Sequence, residues 1–318
     1  VTAEDPNIRL LAEIVERYDP GKQFLPTSAY GPREFLNIDF PGENYDVHGP
    51  WKYEGVRREY EVFNASDSLL HSEFGCDGLT NAETIRAVLP GEECTRLDGR
   101  DSMWRHHGEW WNTWERDCAI FGRLESLEDF AAASQFIQAT ALQYAVEANR
   151  SRAFQNSGSI IWQVNEPWPS TSGTFLIDYF SRPKQAYYFV KSAFRPVHAS
   201  LWHEALVFRP GEIFRGSLRI HNDTAKAVRR TVSITIKSDG EETLFHRCYP
   251  DTLFNVPCEK LEDFAFPVPA CKSMEAVVDI DGEGGKRQNR YLLLVEQENG
   301  LCSLEAVKKY LDARFVWC

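Results

Sequence analysis

Leu69-Leu70-His71-Ser72-Glu73-Phe74-Gly75 is the stretch on which the reading of this chain turns. A short apolar run closed by glycine reads as a buried strand followed by a turn. Glu73 then stands at the C-terminal end of that strand. In a parallel α/β barrel, reactive side chains gather at that end. Taken alone, the pattern favours a strand-end glutamate that faces solvent or pairs with an arginine, because acidic residues near turns are common.

The sequence around this strand alternates between helix and strand signals. Asp5-Pro6 reads as a helix start. Ile8, Leu11, Ala12, Val15 and Tyr18 then recur on one face, and Asp19-Pro20-Gly21 ends the run. Gln23 to Ser28 reads as a short strand. Tyr45-Asp46-Val47-His48-Gly49 reads as a second one, after a Gly- and Pro-rich loop. Val56, Tyr60 and Phe63 mark one side of a short helix. Beyond Glu73 a helix is expected from Ala82 to Leu89. An aromatic tract follows: Trp104, His106, His107, Trp110, Trp111 and Trp114. Adjacent histidines point apart on a helix and on a strand, so His106-His107 is a packing element or a ligand-facing wall before it is a metal site.

Ser126-Leu127-Glu128-Asp129 has the form of a capping box. Phe130, Ile137, Ala141, Tyr144 and Ala148 then line one face of a helix ending near Arg150. Ser157 to Val164 reads as a buried strand, and Lys184 to Arg195 as a helix stopped by Pro196. After Pro196 the pattern changes to short β-rich runs: Leu206–Phe208, Ile213–Ile220, Thr231–Ile236, Leu261–Phe266, Ala276–Ile280 and Tyr291–Val295. Gly, Pro, Asn and Asp punctuate them, as in an antiparallel sandwich.

Composition sets the outer bounds. The 318 residues are 43% hydrophobic and 26% charged, with a formal net charge of -12. That charge argues against a nucleic-acid or anionic-membrane partner, and charges interrupt every apolar stretch that could span a bilayer. Eight cysteines are scattered without a C-x-x-C pair or zinc-ligand spacing. Reduced thiols in the cytoplasm are the expectation, with a secreted or periplasmic setting as the alternative. Asn64-Ala-Ser66, Asn149-Arg-Ser151 and Asn222-Asp-Thr224 match the glycosylation triplet, which also arises by chance. No metal and no cofactor is expected.

Several segments together resemble one known family. Ser72-Glu73-Phe74-Gly75 resembles the nucleophile strand of glycoside hydrolase family 2. Ile161-Trp162-Gln163-Val164-Asn165-Glu166-Pro167-Trp168-Pro169 resembles the eighth-strand segment of its β-mannosidase-like branch, and Asp46-Val47-His48 the sixth strand. Ser134 to Ala139 and Tyr188 to Val197 match the same branch. The resemblance implies an α/β plus all-β fold: the C-terminal half of a (β/α)8 TIM barrel over 1–196, then an immunoglobulin-like β-sandwich over 197–318. Four barrel strands are placed, near Phe24, Val47, Leu70 and Ile161.

The chemistry implied is that of a retaining glycosidase acting on a carbohydrate, a β-mannoside or related β-glycoside. Glu73 would be the nucleophile, kept ionised by nearby donors or positive charge. His48, Trp51, Trp162 and Gln163 would form the substrate-binding wall: His48 toward a sugar hydroxyl or Glu73, Trp162 offering a flat face to a pyranose ring. Core packing is the other reading for His48 and Trp162. The family's acid/base glutamate follows an asparagine on the fourth strand, and no segment here matches it. Asn165-Glu166 has the right dipeptide but aligns with a different motif, so Glu166 is not expected to be the acid/base. The chain therefore reads as the C-terminal part of a larger enzyme, inactive alone and prone to form homo-oligomers through open sheet edges. The rival is a non-catalytic carbohydrate-binding or scaffolding protein of barrel ancestry. A third reading makes the sandwich an interaction module.

Overall fold

The computed structural model describes residues 2–89, 91–98, 102–108, 112–282 and 285–315. The first 196 residues supply α1 (Pro6–Tyr18), β1 (Asp46–His48), α2 (Arg58–Ala65), β2 (Leu70–Phe74), β3 (Gly78–Leu79) and α3 (Ala82–Val88). Then come α4 (Ser102–Gly108), α5 (Trp114–Phe121), α6 (Leu127–Arg150), β4 (Ser159–Ile161), β5 (Ser172–Gly173) and α7 (Gln185–Ala193). The remainder is β6 (Val197–His203), β7 (Val207–Phe208), β8 (Ile213–Asn222), β9 (Val228–Ser238), β10 (Thr243–Phe254), β11 (Cys258–Pro267), β12 (Ser273–Asp281), β13 (Arg287–Val295) and α8 (Leu304–Phe315).

β1, β2 and β4 form a three-stranded parallel sheet with β2 in the middle. The strand expected near Phe24 is absent. Gln23 to Ser28 runs as a loop, because Pro26 withholds a ladder donor and nothing pairs with the segment. Ser157 to Val164 is a strand only over its middle, and it is not buried. Ile160 is 57% exposed and Val164 55%. β4 lies at the edge of the sheet, so its apolar side chains lack the covering layer that their composition suits.

Helix α6 organises the molecule. Ser126 caps it, its hydroxyl accepting the Asp129 N–H at 3.1 Å. The sequence pattern marks one apolar face, yet the helix is buried on nearly every side. Its alanines admit close neighbours, and its buried polar side chains bind them. Ser134 Oγ accepts the Leu79 N–H (2.8 Å), and Gln138 Nε2 donates to the carbonyls of Cys76 (2.8 Å) and Gly173 (3.2 Å). On the far side, Glu147 accepts from Asn289 Nδ2 (2.8 Å) and Tyr291 OH (2.7 Å), and lies 2.8 Å from His198 Nε2.

After Pro196 a five-stranded sheet (β10-β9-β12-β13-β7) and a three-stranded sheet (β11-β8-β6) enclose one core. Leu201, Leu218, Ile220, Ile234, Val278 and Leu293 lie in it. The other face of the larger sheet joins the helical core through Leu292 and Leu294. Three elements carry little sequence signal. β6 and β10 are edge strands, and β10 is mostly polar and contains Pro250. α8 is held by Tyr310, whose OH donates to Arg290 O at 2.9 Å, and by Lys308 on Asp129.

The seven described cysteines are free thiols, and Cys318 lies outside the described residues. The three glycosylation triplets are engaged inside the fold. Asn64 donates to His203 O, Asn149 to His71, and Asn222 to Phe254 O. Among the described residues, no helix is long and apolar enough to cross a membrane.

Candidate active site

The sheet register sets three side chains in line. Val47 pairs with His71, but after a bulge His48 pairs with Glu73, and Phe74 pairs with Ile161. The extra residue re-aims the strand end, as bulges beside functional sites do. The Trp162 N–H then donates to Phe74 O at 2.7 Å. His48, Glu73 and Trp162 thus occupy adjacent C-terminal strand ends.

Trp51 Nε1–H donates to Glu73 Oε1 at 2.9 Å, and His48 Nδ1 lies 3.9 Å from Oε2. The sequence asked for a donor on the carboxylate, and Trp51 supplies it. The His48 ring is also held from behind. Its Nε2 lies 2.9 Å from Ser28 Oγ, which lies 2.9 Å from Ser72 Oγ. Trp51 meets Phe35 edge-on, with centroids 5.9 Å apart. A groove of about 570 Å³ opens here, lined among others by Phe35, Asn37, His48, Trp51 and Arg58. Glu73 is not part of its wall.

Gly75 makes the close approach of β4 to β2 feasible. A Cβ there would lie 2.5 Å from Trp162 O and 3.1 Å from Thr174 Cβ. Trp162 is 47% exposed, so its ring is available as a flat surface and is not core packing. The Gln163 carbonyl accepts the Leu176 N–H at 3.1 Å. Among the described residues its side chain makes no bond to Glu73.

Glu166 sits farther along the same loop. Its Oε1 accepts the Trp168 N–H at 3.0 Å, and burial raises its carboxyl above the ordinary range. The histidines of the aromatic tract pack on this loop. His107 stacks on Trp168 at 5.6 Å, and its Nδ1 lies 2.9 Å from Pro169 O. His106 meets the same ring edge-on. His106 and His107 therefore pack against the loop at Trp168, Trp104 and Trp114 pack in the core, and no metal-ligand cluster occurs among the described residues. Trp110 and Trp111 lie outside them.

Reasoning from sequence missed four contributors. Ser28 and Ser72 support His48. His71 and Asn149 stand behind the Gly49 turn, with His71 Nε2 2.6 Å from Gly49 O and Asn149 Nδ2 3.3 Å from His71 Nδ1. Burial pushes the His71 imidazole down to about 4. His71 and Ser72 were within the decisive stretch, whereas nothing in the sequence marks Ser28 or Asn149.

No family model matches the chain. It is 25% identical over 209 residues to β-mannosidase B of Aspergillus terreus, covering 62% of the chain and 23% of the relative. For β-mannosidase B of Aspergillus clavatus the figures are 24% over 248 residues, 72% and 28%. The chain thus spans about a quarter of the length of these relatives. In structure it is similar to the β-D-mannosidase of Dictyoglomus thermophilum, with a TM-score of 0.66 and 22% identity over 90% of this chain and 34% of that one. It is also similar to the exo-chitosanase of Amycolatopsis orientalis, with a TM-score of 0.58 and 18% identity over 79% and 30%. Motifs, relatives and fold agree: the chain is related to the β-mannosidase-like branch of glycoside hydrolase family 2.

Proposed function

We propose that this chain is the nucleophile-bearing part of a retaining β-glycosidase that acts on β-mannosides or closely related β-glycosides. Residues 1–196 form the C-terminal half of a TIM barrel reduced to three strands, and residues 197–318 an immunoglobulin-like sandwich. The observation that carries the reading is the register that sets Glu73 between His48 and Trp162, with the Trp51 indole on its carboxylate. Glu73 attacks the anomeric carbon, and the bond to the leaving oxygen breaks as a second carboxylate protonates it. That carboxylate then takes a proton from water, which displaces Glu73. The acid/base lies outside this chain.

The supporting arrangement follows ordinary chemistry. The Trp51 hydrogen bond to Oε1 orients the carboxylate and leaves its other oxygen for the attack. The Trp162 ring offers an apolar face to the sugar, and His48 a hydrogen bond to a hydroxyl or to Glu73. The exposed apolar side chains of α1 (Leu10, Leu11, Ile14) and β4 (Ile160) support a covering layer from further polypeptide.

The test uses the complete protein. A 2-fluoro-glycoside trap and peptide mapping should label Glu73, and Glu73→Gln should abolish labelling. Label on another carboxylate refutes the assignment. Glu166→Gln should show no azide rescue with an activated substrate, and rescue would move the acid/base role onto it. A protein that binds sugar but is never labelled would favour the carbohydrate-binding rival.

A further inference from the structure

We propose that His71 is a positioning residue: through the carbonyl of Gly49 it aims the Trp51 indole N–H at the carboxylate of Glu73. The role of this aim in catalysis rests on the nucleophile reading of Glu73; the aim itself does not.

The coupling can be followed atom by atom. Arg152 Nη2 donates to Asn149 Oδ1 at 2.5 Å, which turns the amide so that its NH2 faces His71. Asn149 Nδ2–H then donates to His71 Nδ1 at 3.3 Å. With Nδ1 accepting, the ring proton resides on Nε2, which donates to Gly49 O at 2.6 Å. A carbonyl can only accept, so this tautomer satisfies all three groups. Burial, which holds the imidazole neutral, keeps the arrangement the same across the ordinary pH range.

Gly49 passes the constraint on. Its N–H donates to Glu73 O at 2.7 Å, and the Gly75 N–H donates to Pro50 O at 2.9 Å, so the turn is laced to β2 on both sides of the nucleophile. Gly49 has a φ of 68°, a conformation suited to glycine. A Cβ there would lie 3.1 Å from the Trp51 ring, so the indole covers the side of Gly49 that a side chain would fill. The His71–Gly49 bond therefore fixes the turn that the ring covers. A buried donor–acceptor chain of this kind has one low-energy arrangement, because breaking any link strands a polar group out of reach of water.

The test reads the Trp51 indole in this chain by nitrogen-15 tryptophan labelling. Trp51→Phe identifies its crosspeak, and Glu73→Gln should shift it, showing that it senses the carboxylate. His71→Phe keeps the packing on Phe63 and Phe74 and removes both hydrogen bonds. It should shift the Trp51 crosspeak and speed its N–H exchange about tenfold, the factor expected for one lost hydrogen bond. Trp104 and Trp114 should not move. His71→Gln retains a donor for Gly49 O and should restore the native signal, which a merely space-filling role would not require. An unshifted Trp51 crosspeak in His71→Phe, or His71→Gln behaving like His71→Phe, overturns the proposal. If His71→Phe loses all dispersed indole signals, Asn149→Ala decides: it frees the tautomer, and an unchanged Trp51 signal overturns the coupling. A trap that labels another carboxylate retires the nucleophile reading and leaves this result untouched.

Discussion

Replacing Glu59 with glutamine should stabilise the protein, and by more as the pH rises. Glu59 lies on α2 with only 1% of its surface exposed. One oxygen accepts the Glu54 N–H at 2.9 Å. Burial raises its carboxyl to about 8, with the charges of Glu54 and Asp77 adding to the rise and Arg116 opposing it. The folded value is above the unfolded one of 4.5. The stability of the folded state is therefore fully present below about 4.5 and is lost as pH rises toward 8. Each unit is worth about 1.4 kcal/mol, so the cost near pH 7 is on the order of 3 kcal/mol and approaches about 5 above pH 8. Glutamine keeps the acceptor and never ionises. Urea unfolding of both proteins by tryptophan fluorescence should give nearly equal midpoints near pH 4.5 and a higher midpoint for Glu59→Gln near pH 8. A difference that stays constant or shrinks with rising pH would refute the reasoning, because it would mean that the folded protein does not penalise the ionised carboxylate.

Gly75→Ala drives a Cβ to 2.5 Å from the Trp162 carbonyl, which is backbone and cannot swing away. A loss of about 1–3 kcal/mol is expected in thermal unfolding, and a neutral result would mean that β4 is not seated as described. Glu147→Ala leaves Asn289, Tyr291 and His198 without their shared acceptor, at a cost on the order of 3 kcal/mol; a loss no larger than a surface substitution would refute the network. Ser126→Ala removes the N-cap of α6 and should cost about 1 kcal/mol in chemical unfolding, whereas no change would mean that the cap is idle. The chain by itself should self-associate through the exposed Leu10, Leu11 and Ile14, and Leu11→Lys with Ile14→Lys should reduce its mass by light scattering. A native chain that stays monomeric at low micromolar concentration would show that this face is protected.

Much of the site was written locally. Glu73 on one short strand, His48 on another and Trp162 just past a third follow from short strand-like runs near glycine, and the helix start at Asp5-Pro6 and the cap at Ser126 follow from residue type. Each is decided by interactions within a few residues, so a linear reading reaches it. Ser157 to Val164 shows where such a reading ends. Its composition specifies a strand, but burial depends on what lies across the sheet.

The tertiary structure decided the rest. The bulge that sets His48 opposite Glu73, and not opposite Ser72, is a property of two strands paired across 25 residues of chain. The bond from Trp51 to Glu73, the Ser28 and Ser72 contacts on His48, and the Asn149–His71–Gly49 chain all join segments distant in sequence. No periodicity or propensity encodes them, because the partners of a hydrogen bond are chosen by packing. For the same reason α6, which reads as a helix with one apolar face, is buried nearly all round. Its polar residues Gln138, Glu147 and Asn149 resemble a solvent face in sequence and become buried links once the parallel sheet and the sandwich close on it. Sequence alone determined many of the elements and which carboxylate stands at a strand end. Which donors reach that carboxylate was settled only when distant segments were brought into contact and had to satisfy their polar groups away from water.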